Sequence, residues 1–254
     1  MQKFLLVFAL LLTAHFGWTQ KIVPLAIQPP AQTGAPLAVP GSYRYRMDSL
    51  MTALDKTQVL TGILYDRVFP IARLDIFGQT TADTSSYLHF LQANQELWYA
   101  SYRNVGLGAS ALIRSRAMQH TMANSVPFGI LHYKFHILDT LAVQQGALSQ
   151  PGGTQGALYD VAGRSQSPYQ QRETLVVAAL SDQVTAGTVQ LSLPPNLTFD
   201  NTGTGISFLS LDFNDGAGAA ILSPGGSVYK SFSTAGDHFV RVTAHLTDGR
   251  SLIT

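Results

Sequence analysis

Leu131, Tyr133, Phe135 and Ile137 are apolar, and His132, Lys134 and His136 fall between them. Side chains of a strand alternate between two faces, so this two-residue period predicts a strand over 128–138, entered after Pro127. The same period places His132, Lys134 and His136 together on a polar face expected to lie in water. On a helix, His132 and His136 would have the spacing of a metal half-site; the alternation speaks for a strand, and no Glu follows His132 to act as base. Further along, 174–180 is continuously apolar and Val189, Leu191 and Leu193 alternate ahead of Pro194-Pro195. Leu209, Leu211 and Phe213 alternate with Ser210 and Asp212. From Gly236 onward, Val240, Val242, Ala244 and Leu246 alternate with Arg241, Thr243 and His245. Short strands separated by turn residues at this interval predict a β-sandwich.

The period is helical before Pro127. Leu50, Met51 and Leu54 suit a helix over 46–54, and a second is expected to begin after Asp83, with Thr84 or Ser85 as cap, and to run to about Tyr102. Its stripe of Tyr87, Leu91, Trp98 and Tyr102 is expected to pack against a third helix over 109–123. Asp66-Arg67 reads as a surface or turn ion pair. Gly, Gln, Ser and Pro crowd the stretch 144–172, which reads as a linker and a domain boundary. At the other end, Lys3 precedes the apolar run 4–12, and Gly17-Trp18-Thr19 supplies small residues before Gln20, the pattern of a cleaved secretory signal. Five prolines between Lys21 and Ser42 favour an extended spacer. The expected organisation is a signal peptide over 1–19, a Pro-rich spacer over 20–42, a mainly helical region ending in a strand over 43–143, the linker, and a sandwich over 173–254.

Composition narrows the compartment and the partners. With 46% apolar and 12% charged residues there is ample material for a core, and no later run is long and apolar enough to cross a membrane. A net charge of +1 gives no electrostatic basis for binding nucleic acid. In an exported chain, the absence of cysteine leaves stability to packing or to a bound ion.

The run Leu211-Asp212-Phe213-Asn214-Asp215-Gly216, then Phe232, then Gly236-Asp237-His238-Phe239-Val240-Arg241-Val242, resembles the polycystic-kidney-disease (PKD) repeat. Phe213, Asp215 and Gly216 stand at its turn, Phe232 where a Tyr is usual, and Gly236, Val240 and Val242 along its closing strand. Leu211, Asn214 and His238 replace the usual Trp, Gly and Tyr. The resemblance covers about residues 170–254. It implies an immunoglobulin-like antiparallel β-sandwich there, in a secreted or cell-surface protein that binds or spaces; with the helical region read before Pro127, the expected fold is α+β, a helical N-terminal region followed by the sandwich.

No catalytic motif is legible. There is no Gly-x-Ser-x-Gly elbow, no His-Glu-x-x-His and no phosphate-cradling loop, and His89, His120, His132, His136, His238 and His245 are dispersed. The best candidate site is the oxygen-rich turn of Asp212, Asn214 and Asp215, which suits either weak calcium binding or simple turn formation. Calcium is the one cofactor with a candidate site. The expected partner is an extracellular ligand, polysaccharide or protein, with no catalysis within these residues. The alternative is an accessory N-terminal portion of an exported hydrolase whose catalytic domain lies beyond Thr254.

Overall fold

The computed structural model describes residues 43–74, 77, 84–153, 156–181, 183–184 and 187–254, all of them within a compact unit, Ala31–Thr254. The expected signal peptide and spacer, and Asp83 at the expected start of the second helix, lie outside the described residues. Among the described residues three α-helices come first: α1 (Tyr43–Leu50), α2 (Tyr87–Ala100) and α3 (Ser110–His120). Eleven strands follow: β1 (Ser125–Leu138), β2 (Leu148–Ser149), β3 (Tyr159–Asp160), β4 (Tyr169–Ala179), β5 (Gly187–Ser192), β6 (Thr198–Asp200), β7 (Ile206–Asp212), β8 (Ala220–Leu222), β9 (Ser227–Phe232), β10 (Arg241–Leu246) and β11 (Ser251–Ile253). The second helix is capped by Ser86, whose hydroxyl accepts from His89 N, rather than by Thr84 or Ser85.

The chain is a mixed α+β fold in which two sheets carry the architecture. One has the order β4-β1-β5-β9, with β6 also paired to β1; the other has the order β11-β10-β7-β8. Val126, Phe128 and Ile130 of β1, Leu175 and Val177 of β4, and Val189 and Leu191 of β5 share one apolar cluster with Leu209, Leu211, Leu222, Val242 and Ala244 of the second sheet. Two sheets packed through their apolar faces make an arrangement compatible with a sandwich. The alternation read for 240–246 holds from Arg241 onward, with Val242, Ala244 and Leu246 buried. Residues 236–240 do not join the ladder.

The opposite face of the first sheet is also covered. Leu131, Tyr133 and Phe135 of β1, with Val176 and Ala178 of β4, pack against Phe90, Leu97 and Trp98 of α2 and Ile113 of α3. Strand β1 therefore has protein on both faces, and His132 (0% exposed) and His136 (5%) are buried rather than solvated. A two-residue period fixes which residues share a face, but only the neighbouring layers decide whether that face meets water.

Burial on both faces requires partners for the backbone on both edges of β1. One edge pairs with β4 from Phe128↔Ala179 to Leu138↔Tyr169. The other is completed in relay. Ser125–Pro127 pair with β5 and Ile130–His132 with β6, both parallel. Lys134 N–H then donates to Asn201 Oδ1 (2.7 Å), and Asn201 Nδ2 donates to Lys134 O (2.9 Å), so one side-chain amide stands in for a strand residue. Finally His136 N–H donates to Ile63 O (2.9 Å) and Leu138 N–H to Asp66 Oδ2 (2.7 Å). Burial pushes the Asp66 carboxyl above its ordinary range although the Leu138 N–H opposes it.

The Asp66-Arg67 pair expected at the surface does not form. Arg67 is 5% exposed and turns instead to Asp48, with Nε at 2.8 Å, while Nη1 donates to Ala100 O and Ser101 O. Its guanidinium lies 4.0 Å from the centre of the Tyr102 ring. A buried cation is tolerable when its donors are met in this way. The stretch 144–172 connects two neighbouring strands, β1 and β4, so residues on either side of the expected boundary share one sheet and one core.

Gly129 is the point where α2 is seated on β1. A Cβ there would lie 2.7 Å from Phe90 Cζ and 2.7 Å from Leu180 Cδ1. Gly129→Ala is expected to destabilise the fold by about 1–3 kcal/mol through overpacking. Urea denaturation measures it, and a loss within the scatter of neutral surface changes would mean that α2 is not seated there.

Candidate functional site

The Asp212, Asn214 and Asp215 turn sits where β7 ends, and its oxygens are engaged locally. Asp212 Oδ1 accepts from Asn214 N (2.9 Å), and Asp215 Oδ1 accepts from Ala217 N (3.1 Å). The second Asp215 oxygen meets the Lys230 ammonium, which holds that carboxyl below its ordinary range. Asn214 adopts φ +55° and its Nδ2 donates to Phe239 O (3.4 Å). The three residues are adjacent, but their side chains close the turn and tie it to the segment before β10. Among the described residues no group of three or more His, Cys, Asp or Glu side chains is disposed to hold a metal.

A group of charged side chains lies around His132 at one end of the space between the sheets. His132 faces the second sheet from β1. Its Nε2 is 2.7 Å from Glu173 Oε1 on β4, and its Nδ1 is 3.3 Å from Asp200 Oδ2 on β6. Thr202 Oγ1 lies 3.3 Å from the same Nδ1. The turn between β10 and β11 reaches across from the second sheet, and Arg250 donates through Nη1 and Nη2 to the two Glu173 oxygens, each at 3.0 Å. A planar guanidinium meeting both oxygens of a carboxylate is the strong form of this pair. Asp248 supports Arg250 from its own turn, accepting from Nε at 2.7 Å.

The electrostatics follow from the geometry. Burial alone disfavours the imidazolium, but the hydrogen bonds to Asp200 and Glu173 outweigh it and raise the His132 pKa. Glu173 and Asp200 are likewise partly desolvated, yet Arg250 and His132 lower Glu173, and His132 and Thr202 lower Asp200. His132 lies between two carboxylates with a side-chain exposure of 0%. It pins β6 and β4 to β1, while Arg250 pins the second sheet to the first.

The opposite end of the space between the sheets is open. A cleft of about 910 Å³ enters between the sheets where β1 and β5 begin and β4 ends. Its floor is apolar, with Val126, Phe128, Val177, Val189, Leu191 and Val242. Its rim is polar, with Asn214, Asp237, His238 and Arg241 on one side and Ser181 and Gln183 on the other. A concave apolar floor with a few convergent polar groups is the usual form of a binding site. Phe239, on the rim, is 70% exposed.

Neither the charged plug nor the cleft was legible from local sequence. Glu173 and Asp200 carry no signal linking them to His132, which pairs with residues 41 and 68 positions away. The cleft depends on where a ladder stops, which no residue pattern announces. No family model, curated protein or solved structure matches the chain.

The plug predicts a pH dependence of a definite sign. A raised His132 pKa stabilises the fold below the ordinary histidine value of 6.5, and that contribution is lost as pH rises through the folded-state value. The lowered carboxylates contribute above their ordinary values of 4.5 and 3.8, and this is lost as pH falls through their folded-state values. His136 has the opposite slope to His132, because burial lowers its pKa and acidification therefore destabilises the fold. The stability lost in His132→Gln is expected to be about 2 kcal/mol or more near pH 5.5, since a partly buried carboxylate pair is left without its cation, and to shrink above pH 7. Urea denaturation of both proteins across this range measures it; a difference independent of pH would show that His132 is neutral in the fold.

Proposed function

We propose that this chain is an exported binding or spacer module built on an immunoglobulin-like, PKD-like sandwich, which takes its partner at the open cleft and performs no catalysis of its own. The cleft is the observation that carries this reading. It joins an apolar floor to a polar rim, whereas at the other end of the space between the sheets the His132 imidazole is buried between carboxylates. The strand order supports the immunoglobulin-like assignment. Taking β7 as strand C, the order β11-β10-β7-β8 corresponds to G-F-C-C′, and the β5–β9 pair corresponds to B–E. The residues behind the PKD resemblance also come together: Phe213 meets Phe232 edge-on at 6.1 Å, and Phe232 lies 4.4 Å from His238.

Two measurements test the reading. Expressed with its own N-terminus in a Gram-negative host, the protein is expected outside the cytoplasm and to begin at or near Gln20; intact chain confined to the cytoplasm would contradict export. Amide spectra recorded with small apolar fragments, oligosaccharides and short peptides are expected to move Val126, Val189 and Val242 with at least one class. Shifts confined to other surfaces, or none with any class, would remove the cleft from the function.

A further inference from the structure

We infer that two copies of this chain pair edge to edge through β9, antiparallel about a two-fold axis at Tyr229, so that the first sheet runs on from one copy into the other. This surface is separate from the cleft. Strand β9 ends the order β4-β1-β5-β9, and among the described residues it pairs with β5 alone, in an unbroken register from Gly187↔Phe232 to Ser192↔Ser227. The strand before it, β8, pairs with β7 instead. Thr254 meets β4, at the other end of the same sheet.

Successive residues of a strand turn their N–H and C=O groups to opposite edges. Gln190 N–H donates to Asn124 O (2.7 Å), beside β1, so Val189 and Leu191 turn theirs toward β9. Leu193 N–H, donating to Gly226 O (3.2 Å), keeps the same parity. Lys230 and Val228 stand opposite Val189 and Leu191 and take up those groups. The N–H and C=O groups of Ser227, Tyr229 and Ser231 are therefore left on the outer edge, where they have no partner among the described residues. The same three side chains face solvent, and Tyr229 is 69% exposed.

Edge strands are ordinarily blunted by proline, by a bulge or by charge. Here there is no proline or bulge, and the one charged residue, Lys230, points inward, where its ammonium meets Asp215 and lies over the Phe213 ring (4.8 Å from its centre). The strand is also complementary to itself. With Tyr229 on the axis, Tyr229 faces its counterpart and Ser227 faces Ser231, so every free N–H and C=O of the edge finds a partner. Lys230 then stands opposite Val228 of the other copy. Sliding the register by two residues would set Lys230 against Lys230, and like charges directly opposite are unfavourable. A net charge of +1 adds little repulsion between copies. A pair closed by a two-fold axis is the commonest symmetric assembly. Because the edge is only 6 residues long, the interface is small and the pair is expected to be weak.

Sedimentation of the chain from micromolar to millimolar concentration tests this, with dimer expected to grow across the range. Tyr229→Lys and Tyr229→Glu each set like charges on the axis, and each alone is expected to weaken the pair at least tenfold. An equal mixture of the two variants is expected to restore it, since opposite charges then meet. Hydrogen exchange on the unaltered chain needs no variant: the Tyr229 and Ser231 amides are expected to slow at least threefold on concentration, while Val228 and Lys230, already bonded to β5, stay unchanged. A chain that remains monomeric at millimolar concentration overturns the inference, as does a dimer indifferent to both substitutions. A monomer whose Tyr229 amide slows only when an extended peptide of unrelated sequence is added would assign the edge to a foreign strand and remove the second copy.

Discussion

Strand β1 is buried on both faces over most of its length, and most of the molecule is arranged to make that tolerable. Its 14 residues lie between the helical layer and the second sheet. Each edge must find hydrogen-bond partners, because a buried amide left unpaired costs about 1–3 kcal/mol. A single neighbouring strand does this on the β4 side. The other edge is covered by two short parallel strands, the amide of Asn201, the carbonyl of Ile63 and the carboxylate of Asp66. Short parallel pieces supplied from distant parts of the chain explain why residues before Pro127 and after Tyr169 cannot be separated without exposing β1.

The same strand sets the two ends of the space between the sheets. Toward its C-terminal half the apolar run from Val126 to Ile130 gives way to His132, and an imidazole at that depth requires compensation. Glu173, Asp200 and, through Glu173, Arg250 provide it, and in doing so they clamp the second sheet to the first. Toward its N-terminal end the link between the sheets is lighter, with Val177 N–H donating to Thr254 Oγ1 (3.4 Å), and Val126 and Phe128 form the floor of the cleft. One end is tied together by ion pairs; the other is open and holds the candidate site.

The strands of the core were largely legible in the sequence because their two-residue alternation is a local property. Leu131, Tyr133 and Phe135 do share a face, and Val242 and Ala244 do point inward. The environment of a face is not local. His132 and His136 alternate correctly with the apolar residues yet are buried, since the layers that cover them come from elsewhere in the chain. Glycine and proline in 144–172 mark turns, which is a local property as well; that those turns return the chain to an adjacent strand is a matter of topology. The oxygen-rich residues Asp212, Asn214 and Asp215 do stand at a turn after β7, but the partners that engage them, the Lys230 ammonium and Phe239 O, are visible only in the fold.

If β1 joins both regions into one unit, the buried helix and the sheets must unfold together. Native-state hydrogen exchange in increasing urea reads this directly, through the amides of Phe90 to Leu97 in α2 and those of β1, β4 and β10. Merging of all four sets onto one global opening free energy is the expected result. An α2 that exchanges through a separate and much lower opening, while β4 and β10 stay protected, would contradict the shared core.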